Sequence, residues 1–324
     1  MRVRGLLIGA LAIGAAFTLG ACGGQRSASR QSPVKSHSPI GLRARLTPWR
    51  LPSPVAGEVA LAQRGRLLVI GGLDSSGASS DSVLSLDPRT GDARDQGVLV
   101  QPTHDAAGAV LGGNAFVFGG GESSSYTGVE ELTSGNSPQL IGNLPTARSD
   151  LAAATLAGRA YVMGGYDGTT LASDVLATSD GRRFHSVAQL QVPVRYPAVA
   201  TARSRLFVFG GERASSQSTD VVQEIDPRAG RTRIVASLPT PTDHAAAVAF
   251  GDRIYLLGGD VGGVANRQIV FFDPVANRVR RIGQLPLAVA DAAVVRSGAS
   301  AYLLGGLGTG QTPSSRAIRL TPGG

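Results

Sequence analysis

The sequence predicts an all-β fold, a six-bladed β-propeller of four-stranded blades, on three observations that recur in register. Six Gly-Gly doublets close six short apolar runs: RLLVIGG at Gly72, NAFVFGG at Gly120, RAYVMGG at Gly165, RLFVFGG at Gly211, RIYLLGG at Gly259 and SAYLLGG at Gly306, spaced 48, 45, 46, 48 and 47 residues apart. A leucine stands 20 residues before the first glycine of every doublet, at Leu51, Leu99, Leu144, Leu190, Leu238 and Leu285, and four of these are followed by proline. Asp-Pro turns recur at Asp87-Pro88, Asp226-Pro227 and Asp273-Pro274. A fixed period of this size marks a repeat architecture.

Each repeat divides into four strand-like runs, the pattern of a propeller blade. The first run is built from small residues: Glu58 to Ala62, Ala106 to Leu111, Leu151 to Leu156, Ala198 to Ala202, Ala245 to Phe250 and Ala292 to Val295. Small side chains suit the strand nearest the axis, where the blades converge. The second run is β-branched and aromatic and ends in the doublet, whose glycines allow a sharp turn or a close approach to the next blade. The third leads into the Asp-Pro turn, as in VLSLDP and QIVFFDP, because Asp and Pro are turn formers. The fourth runs up to the leucine. After Gly306 only 18 residues remain, enough for a third strand but not a fourth. The stretch Leu46 to Pro52 carries the fourth-strand leucine with no strands before it. The expectation is that this N-terminal strand closes the last blade, which removes the open edges a sheet must otherwise protect.

This pattern resembles the kelch repeat family over residues 46–324. The doublets, the Asp-Pro turns and the tyrosines before three doublets, Tyr161, Tyr255 and Tyr302, carry the resemblance. It implies a six-bladed kelch propeller. The chain departs from the family in the fourth strand, where kelch repeats usually carry Trp; its one tryptophan is Trp49.

Residues 1–22 read as an export signal: Arg2 and Arg4 precede an apolar run from Gly5 to Gly20, which is short for a membrane span. Leu19-Gly20-Ala21-Cys22 resembles the bacterial lipobox, which implies cleavage before Cys22 and its lipidation. Cys22 is the sole cysteine, so intramolecular disulfides are excluded. Residues 23–45, rich in Ser, Arg, Gly and Pro, read as a flexible basic tether. The formal charge is +8, yet residues 51–324 hold 23 Arg and 23 Asp plus Glu, so the excess lies in the first 50 residues. Basic residues beside an anionic membrane strengthen attachment by roughly 1 kcal/mol each. A neutral propeller without a basic run argues against nucleic-acid binding. The expected protein is therefore extracytoplasmic, monomeric and anchored to a bacterial membrane.

In antiparallel blades the fourth-to-first connections and the second-to-third loops share one face. Fourteen residues before the doublets stand Gly57, Asp105, Asp150, Tyr196, His244 and Asp291. Arg148, Arg195, His104 and Asp243 adjoin them. Tyr126 and Tyr166 lie in second-to-third loops on the same face. These side chains form a polar cup suited to a protein or glycan ligand. The alternative for Asp residues after the doublets is structural, since Asp in a turn satisfies backbone N–H groups. His37, His104, His185 and His244 are dispersed, without metal-site spacing, and no hydrolase elbow or phosphate loop is present. Kelch enzymes resembling galactose oxidase need copper and a cysteine cross-linked to tyrosine, which this chain cannot supply. No cofactor or metal is expected. Kelch enzymes resembling sialic-acid mutarotases need only carboxylates and arginines at the channel mouth, so three readings remain: a binding module, a sugar mutarotase or epimerase using Asp105, Asp150 and Asp291 with Arg148 and Arg195, and a purely structural spacer in an envelope complex, which predicts no concave site.

Overall fold

The structure is a computed structural model that describes residues 41–133 and 135–323. The expected export signal, residues 1–22 with Cys22, and residues 23–40 of the expected tether lie outside the described residues. Pro39–Gly324 forms one compact unit, and no helix among the described residues is long and apolar enough to cross a membrane.

Strand β1 is Leu42–Leu46. The first blade holds β2 (Val59–Gln63), β3 (Arg66–Ile70), β4 (Ser82–Leu86) and β5 (Ala93–Val98). The second holds β6 (Ala107–Leu111), β7 (Asn114–Phe118), β8 (Gly128–Leu132) and β9 (Gln139–Asn143). The third holds β10 (Ser149–Leu156), β11 (Arg159–Tyr166), β12 (Asp174–Thr178) and β13 (His185–Gln189). The fourth holds β14 (Ala198–Ala202), β15 (Arg205–Phe209), β16 (Val221–Asp226) and β17 (Arg231–Ser237). The fifth holds β18 (Ala246–Phe250), β19 (Arg253–Leu257), β20 (Gln268–Asp273) and β21 (Arg278–Gln284). The sixth joins β22 (Ala293–Ser297), β23 (Ser300–Leu304) and β24 (Ala317–Pro322) to β1. Every pairing is antiparallel. The six first strands contact one another in a closed circle, β22 against β2. The fold is an all-β six-bladed propeller.

The closing strand differs from the expectation. β1 ends at Leu46 and pairs with β24 from Leu42↔Pro322 to Leu46↔Ile318. Residues 42–45, read as tether, therefore belong to the sixth blade. Leu51 still takes its place. Its N–H donates to Ser315 (2.8 Å), as Leu99 donates to Asp81, Leu144 to Thr127 and Leu285 to Arg267 (each 2.7 Å). Residues 47–50 form an extra loop between strand and leucine, which hid the register; Thr47 Oγ1 donates to the Trp49 carbonyl within it (2.5 Å).

Six hydrophobic clusters hold the ring, each shared by two neighbouring blades. The second strands, buried beyond their first residue over most of their length, fill them, and all six marker leucines are buried. The Asp of each Asp-Pro turn accepts the two following amides: Asp87 from Arg89 and Thr90, Asp226 from Arg228 and Ala229, Asp273 from Val275 and Ala276.

The doublets have a specific task. The second glycine donates its N–H across to the next blade: Gly72 to Thr103, Gly120 to Arg148, Gly165 to Val194, Gly211 to Thr242, Gly259 to Val289 and Gly306 to Val55, at 2.8–2.9 Å. The first glycine presses on the same strand-to-strand connection. A Cβ on Gly71 would stand 2.6 Å from the Thr103 carbonyl, and its φ is +63°. Only glycine meets both demands.

Candidate functional site

The residues Gly57, Asp105, Asp150, Tyr196, His244 and Asp291 form a closed belt around the axis. Each donates its N–H to the carbonyl of its counterpart one blade back: Asp105 to Gly57 (2.9 Å), Asp150 to Asp105 (2.9 Å), Tyr196 to Asp150 (2.8 Å), His244 to Tyr196 (3.2 Å), Asp291 to His244 (2.8 Å) and Gly57 to Asp291 (3.0 Å). All six have left-handed backbones, with φ from +48° to +63°. That conformation is uncommon for Tyr and His; here the ring of hydrogen bonds fixes it at six related positions. The belt residues line an axial mouth of about 100 Å³ together with Glu58.

Carboxyls crowd this mouth. Gly57 has no side chain, and the position its Cβ would occupy lies 2.5 Å from Asp105 Oδ1 and 3.2 Å from Asp291 Oδ2. Burial, reinforced by the charges of Asp291, Asp150 and Glu58, pushes Asp105 well above the usual carboxylate range. Burial likewise raises Glu58, Asp150 and Asp291. Glu58 Oε2 is buried without a hydrogen-bond partner, as suits a carboxyl that keeps its proton. His244 stacks on Tyr196 with ring centroids 3.7 Å apart. Its Nδ1 lies 2.6 Å from Asp243 Oδ1. Burial opposes charge on His244, but the Asp243 hydrogen bond and the charge of Asp291 outweigh it, and the imidazole titrates above its ordinary value. His104 binds Ser79 Oγ through Nδ1 (2.9 Å) and stands 3.9 Å from Asp105. Among the described residues no group of three or more His, Cys, Asp or Glu could hold a metal ion.

Beside the mouth a larger groove of about 500 Å³ opens between the third and fourth blades. The loops after β11 and β15 wall it, and the connection from β13 to β14 floors it. Arg195 links the two cavities. Its guanidinium pairs with Glu212 and reaches Asp150 at 3.7 Å. It also lies 5.4 Å from the ring centroids of both Tyr166 and Tyr196, within the range of a cation–π contact. The Tyr166 hydroxyl donates to the Gly168 carbonyl (2.7 Å), which fixes the ring at the groove wall. The groove offers a pinned aromatic, a partly buried Arg195–Glu212 pair, and polar side chains at Thr169, Gln191 and Arg213, of which Gln191 donates to the Thr232 carbonyl (3.0 Å).

No protein-family model matches the chain. It is 27% identical over 215 residues to Kelch-like protein 25 of Xenopus tropicalis, which covers 60% of this chain and 35% of that protein. It is 28% identical over 209 residues to the human Kelch-like protein 25, with the same coverage of 60% and 35%. The chain thus spans about a third of the length of these relatives. The solved structure of YjhT superimposes with a TM-score of 0.74 at 16% identity, covering 85% of this chain and 97% of that one, a likeness of fold. The chain is a kelch-repeat propeller.

The kelch propeller distributes its expected site residues unevenly. Asp105, Asp150, Asp291, Tyr196 and His244 line the mouth. Tyr166 and Arg195 line the groove, and His104 flanks Asp105. Two residues leave the cup. Arg148 is 1% exposed, and its Nη2 donates to both carboxylate oxygens of Asp174 at 2.7 and 2.8 Å. Its repeat counterparts are Val55, Thr103, Val194, Thr242 and Val289, a column between blades, so its place is structural. Tyr126 stays on the second blade's own loop, its backbone bonded to Gly120 and Arg148, and lines neither cavity. Of the acids after the doublets, Asp74 and Asp167 accept amides of their own loops; Glu212 alone pairs with a site arginine. Asp243, expected beside the belt, holds His244. Glu58 was not singled out as a site residue; its sequence signal was adjacency to Gly57.

Proposed function

We propose that this chain is an exported, lipid-anchored kelch propeller that binds a protein or glycan ligand at the bacterial cell surface as a monomer. The ligand site is the groove between the third and fourth blades. The observation that carries this reading is the 500 Å³ groove with Tyr166 fixed beside the Arg195–Glu212 pair. Concave sites with an apolar face and a few converging polar groups are the usual form of ligand pockets. Kelch-type propellers serve generally as interaction scaffolds, and their loops vary while the blades stay rigid. Anchoring rests on Cys22 and the basic residues that follow it.

A second reading, a sugar mutarotase, is favoured by one feature: Asp105 and Asp150, both shifted toward the protonated form, border Arg195 at the mouth. A carboxyl shifted upward from its ordinary range holds a proton more tightly and is better placed to act as a general acid.

One experiment separates the two. The full-length chain is mixed with a panel of reducing sugars, sialic acid included, and with short peptides, and NMR records saturation transfer together with anomer exchange. Saturation transfer that Arg195→Ala removes, with unchanged anomer exchange, supports the binding module. Accelerated anomer exchange lost in Asp150→Asn replaces it with the mutarotase. Transfer that survives Arg195→Ala and Tyr166→Ala rules out the groove.

A further inference from the structure

The six blades present very different outer edges. The outer strands of the first three blades, β5, β9 and β13, carry Arg94 and Asp95 as their only Arg, Lys, Asp or Glu residues, so their charges cancel. The outer strands of the other three read RTRIVAS in β17, RVRRIGQ in β21 and LRARL in β1, with no acidic residue. These three are neighbours, since β21 contacts both β17 and β1. Together they form one continuous basic flank, which corrects the expectation of a propeller without a basic run: the arginines lie on separate outer strands that only the ring brings side by side. Arg43, Arg45, Arg231, Arg278, Arg280 and Arg281 are exposed on it, and none has a carboxylate within ion-pair distance among the described residues. The nearby acids are engaged elsewhere: Glu224 with Arg205 and Arg233, Asp226 with Arg205 and its own turn, Asp273 with its own turn. Ile234 and Val275 add apolar side chains 51% and 67% exposed.

We infer that this flank is a docking surface for anionic phospholipid headgroups, so that the propeller lies edge-on against the membrane with its axial mouth facing sideways. The inference deepens the anchoring part of the proposed function and rests on it. Two features select a lipid surface. The charge is spread over three neighbouring outer strands, and its six exposed arginines make no ion pair among the described residues, which matches a plane of phosphates; each such arginine strengthens attachment by roughly fivefold. The chain also enters the propeller on this flank, through Gly41 and β1. Only 18 residues separate Cys22 from Gly41, a length whose random-coil span is on the order of 25 Å. A lipid on Cys22 would hold this flank, ahead of the opposite one, at the headgroups.

The test uses residues 39–324, the compact unit, and sedimentation with vesicles. Binding is expected to phosphatidylglycerol–phosphatidylcholine vesicles and not to phosphatidylcholine alone, with strong loss at high salt. Replacing Arg278, Arg280 and Arg281 together with Gln should weaken binding about 100-fold. The matched control, Arg94→Gln with Arg159→Gln and Arg183→Gln on the other side of the ring, should change it little. Equal losses in both triples, binding to neutral vesicles, or tighter binding to an RNA 20-mer than to the vesicles would each overturn the proposal. Circular dichroism of both triples checks that the ring is intact. Mass spectrometry of Cys22 in the full chain made in a bacterium tests anchoring separately: an unmodified cysteine sinks the anchor while vesicle binding still reports on the flank.

Discussion

The axial mouth and the groove between the third and fourth blades are bridged by Arg195, which lines the groove and reaches Asp150 of the mouth, and they differ in nearly everything else. The mouth is small, about 100 Å³, and is made by six related positions bonded in a circle. Its side chains are carboxyls that burial and mutual repulsion drive toward neutrality. The groove is about five times larger and is made by loops of two blades only. Its Tyr166 and Arg195 have no counterparts of the same type in the other repeats. The mouth is what the repeat produces everywhere; the groove is where the repeat is broken. Symmetry builds the scaffold, and departure from it is where a particular ligand can be recognised.

The strongest way to press this comparison is through the two arginines that the sequence places side by side in function. Arg148→Ala would strand Asp174 between the second and third blades. Breaking one half of a buried pair costs about 3–5 kcal/mol, and because the Asp174 side chain is 28% exposed the lower end, about 3 kcal/mol, is expected. Chemical denaturation should show that loss with groove binding intact at low denaturant. A stable Arg148→Ala with lost binding would return Arg148 to the site.

Next in size is the charge of the mouth. The folded-state values of Glu58, Asp105, Asp150 and Asp291 lie above those of free carboxylates. A raised value means that the folded state binds the proton more tightly. The contribution to stability is full below the ordinary carboxylate range and is lost as pH rises through the folded values. His244, also raised, adds a loss in the same direction above its unfolded value. Asp243, lowered by its hydrogen bonds to His244 and Ser218 against the opposing effect of burial, acts oppositely and weakens the fold only as pH falls. Stability should therefore fall as pH rises from about 4 to neutrality. Asp291→Asn should be more stable than the parent near pH 7, by about 1–3 kcal/mol on the scale of a relieved buried polar group, and close to it near pH 3. A flat difference across this range would show that the mouth carboxyls are ordinary.

How much of this could be read from the chain follows from what repeats. The doublets, the leucines and the Asp-Pro turns report backbone demands made once per blade, so the ring and its face were legible. The belt positions were legible as a column, and the structure gathers all six. Arg148 was misplaced because nearness in sequence to Asp150 suggested nearness in space. Its own column, otherwise Val and Thr, carried the correct signal. β1 was misplaced because residues 47–50 separate it from Leu51, and no repeat counterpart has that loop. The groove was not legible as a cavity, since its volume depends on how two unlike loops lean apart.

Within the groove, Arg195→Lys should separate charge from shape. Lysine keeps the positive charge near Glu212 and Asp150 but loses the planar fork and the stacking on Tyr166 and Tyr196. Ligand affinity should fall about tenfold, or about 1.4 kcal/mol, while the melting temperature changes little, because the pair with Glu212 is partly exposed and such pairs contribute little. A large loss of stability would place Arg195 among the scaffold residues with Arg148.

The smallest effect concerns Tyr166. Its hydroxyl is spent on the Gly168 carbonyl, so Tyr166→Phe removes one exposed hydrogen bond, worth about 0.5 kcal/mol, and keeps the ring under Arg195. Tyr166→Ala removes the ring itself. If the ring face is what the ligand meets, titration by NMR should find Phe close to the parent and Ala far weaker. If Phe and Ala fall together, the hydroxyl contacts the ligand directly, and the Gly168 bond must open on binding. The loop after β11 would then be a moving part, and the groove would be formed by its ligand instead of standing ready for it.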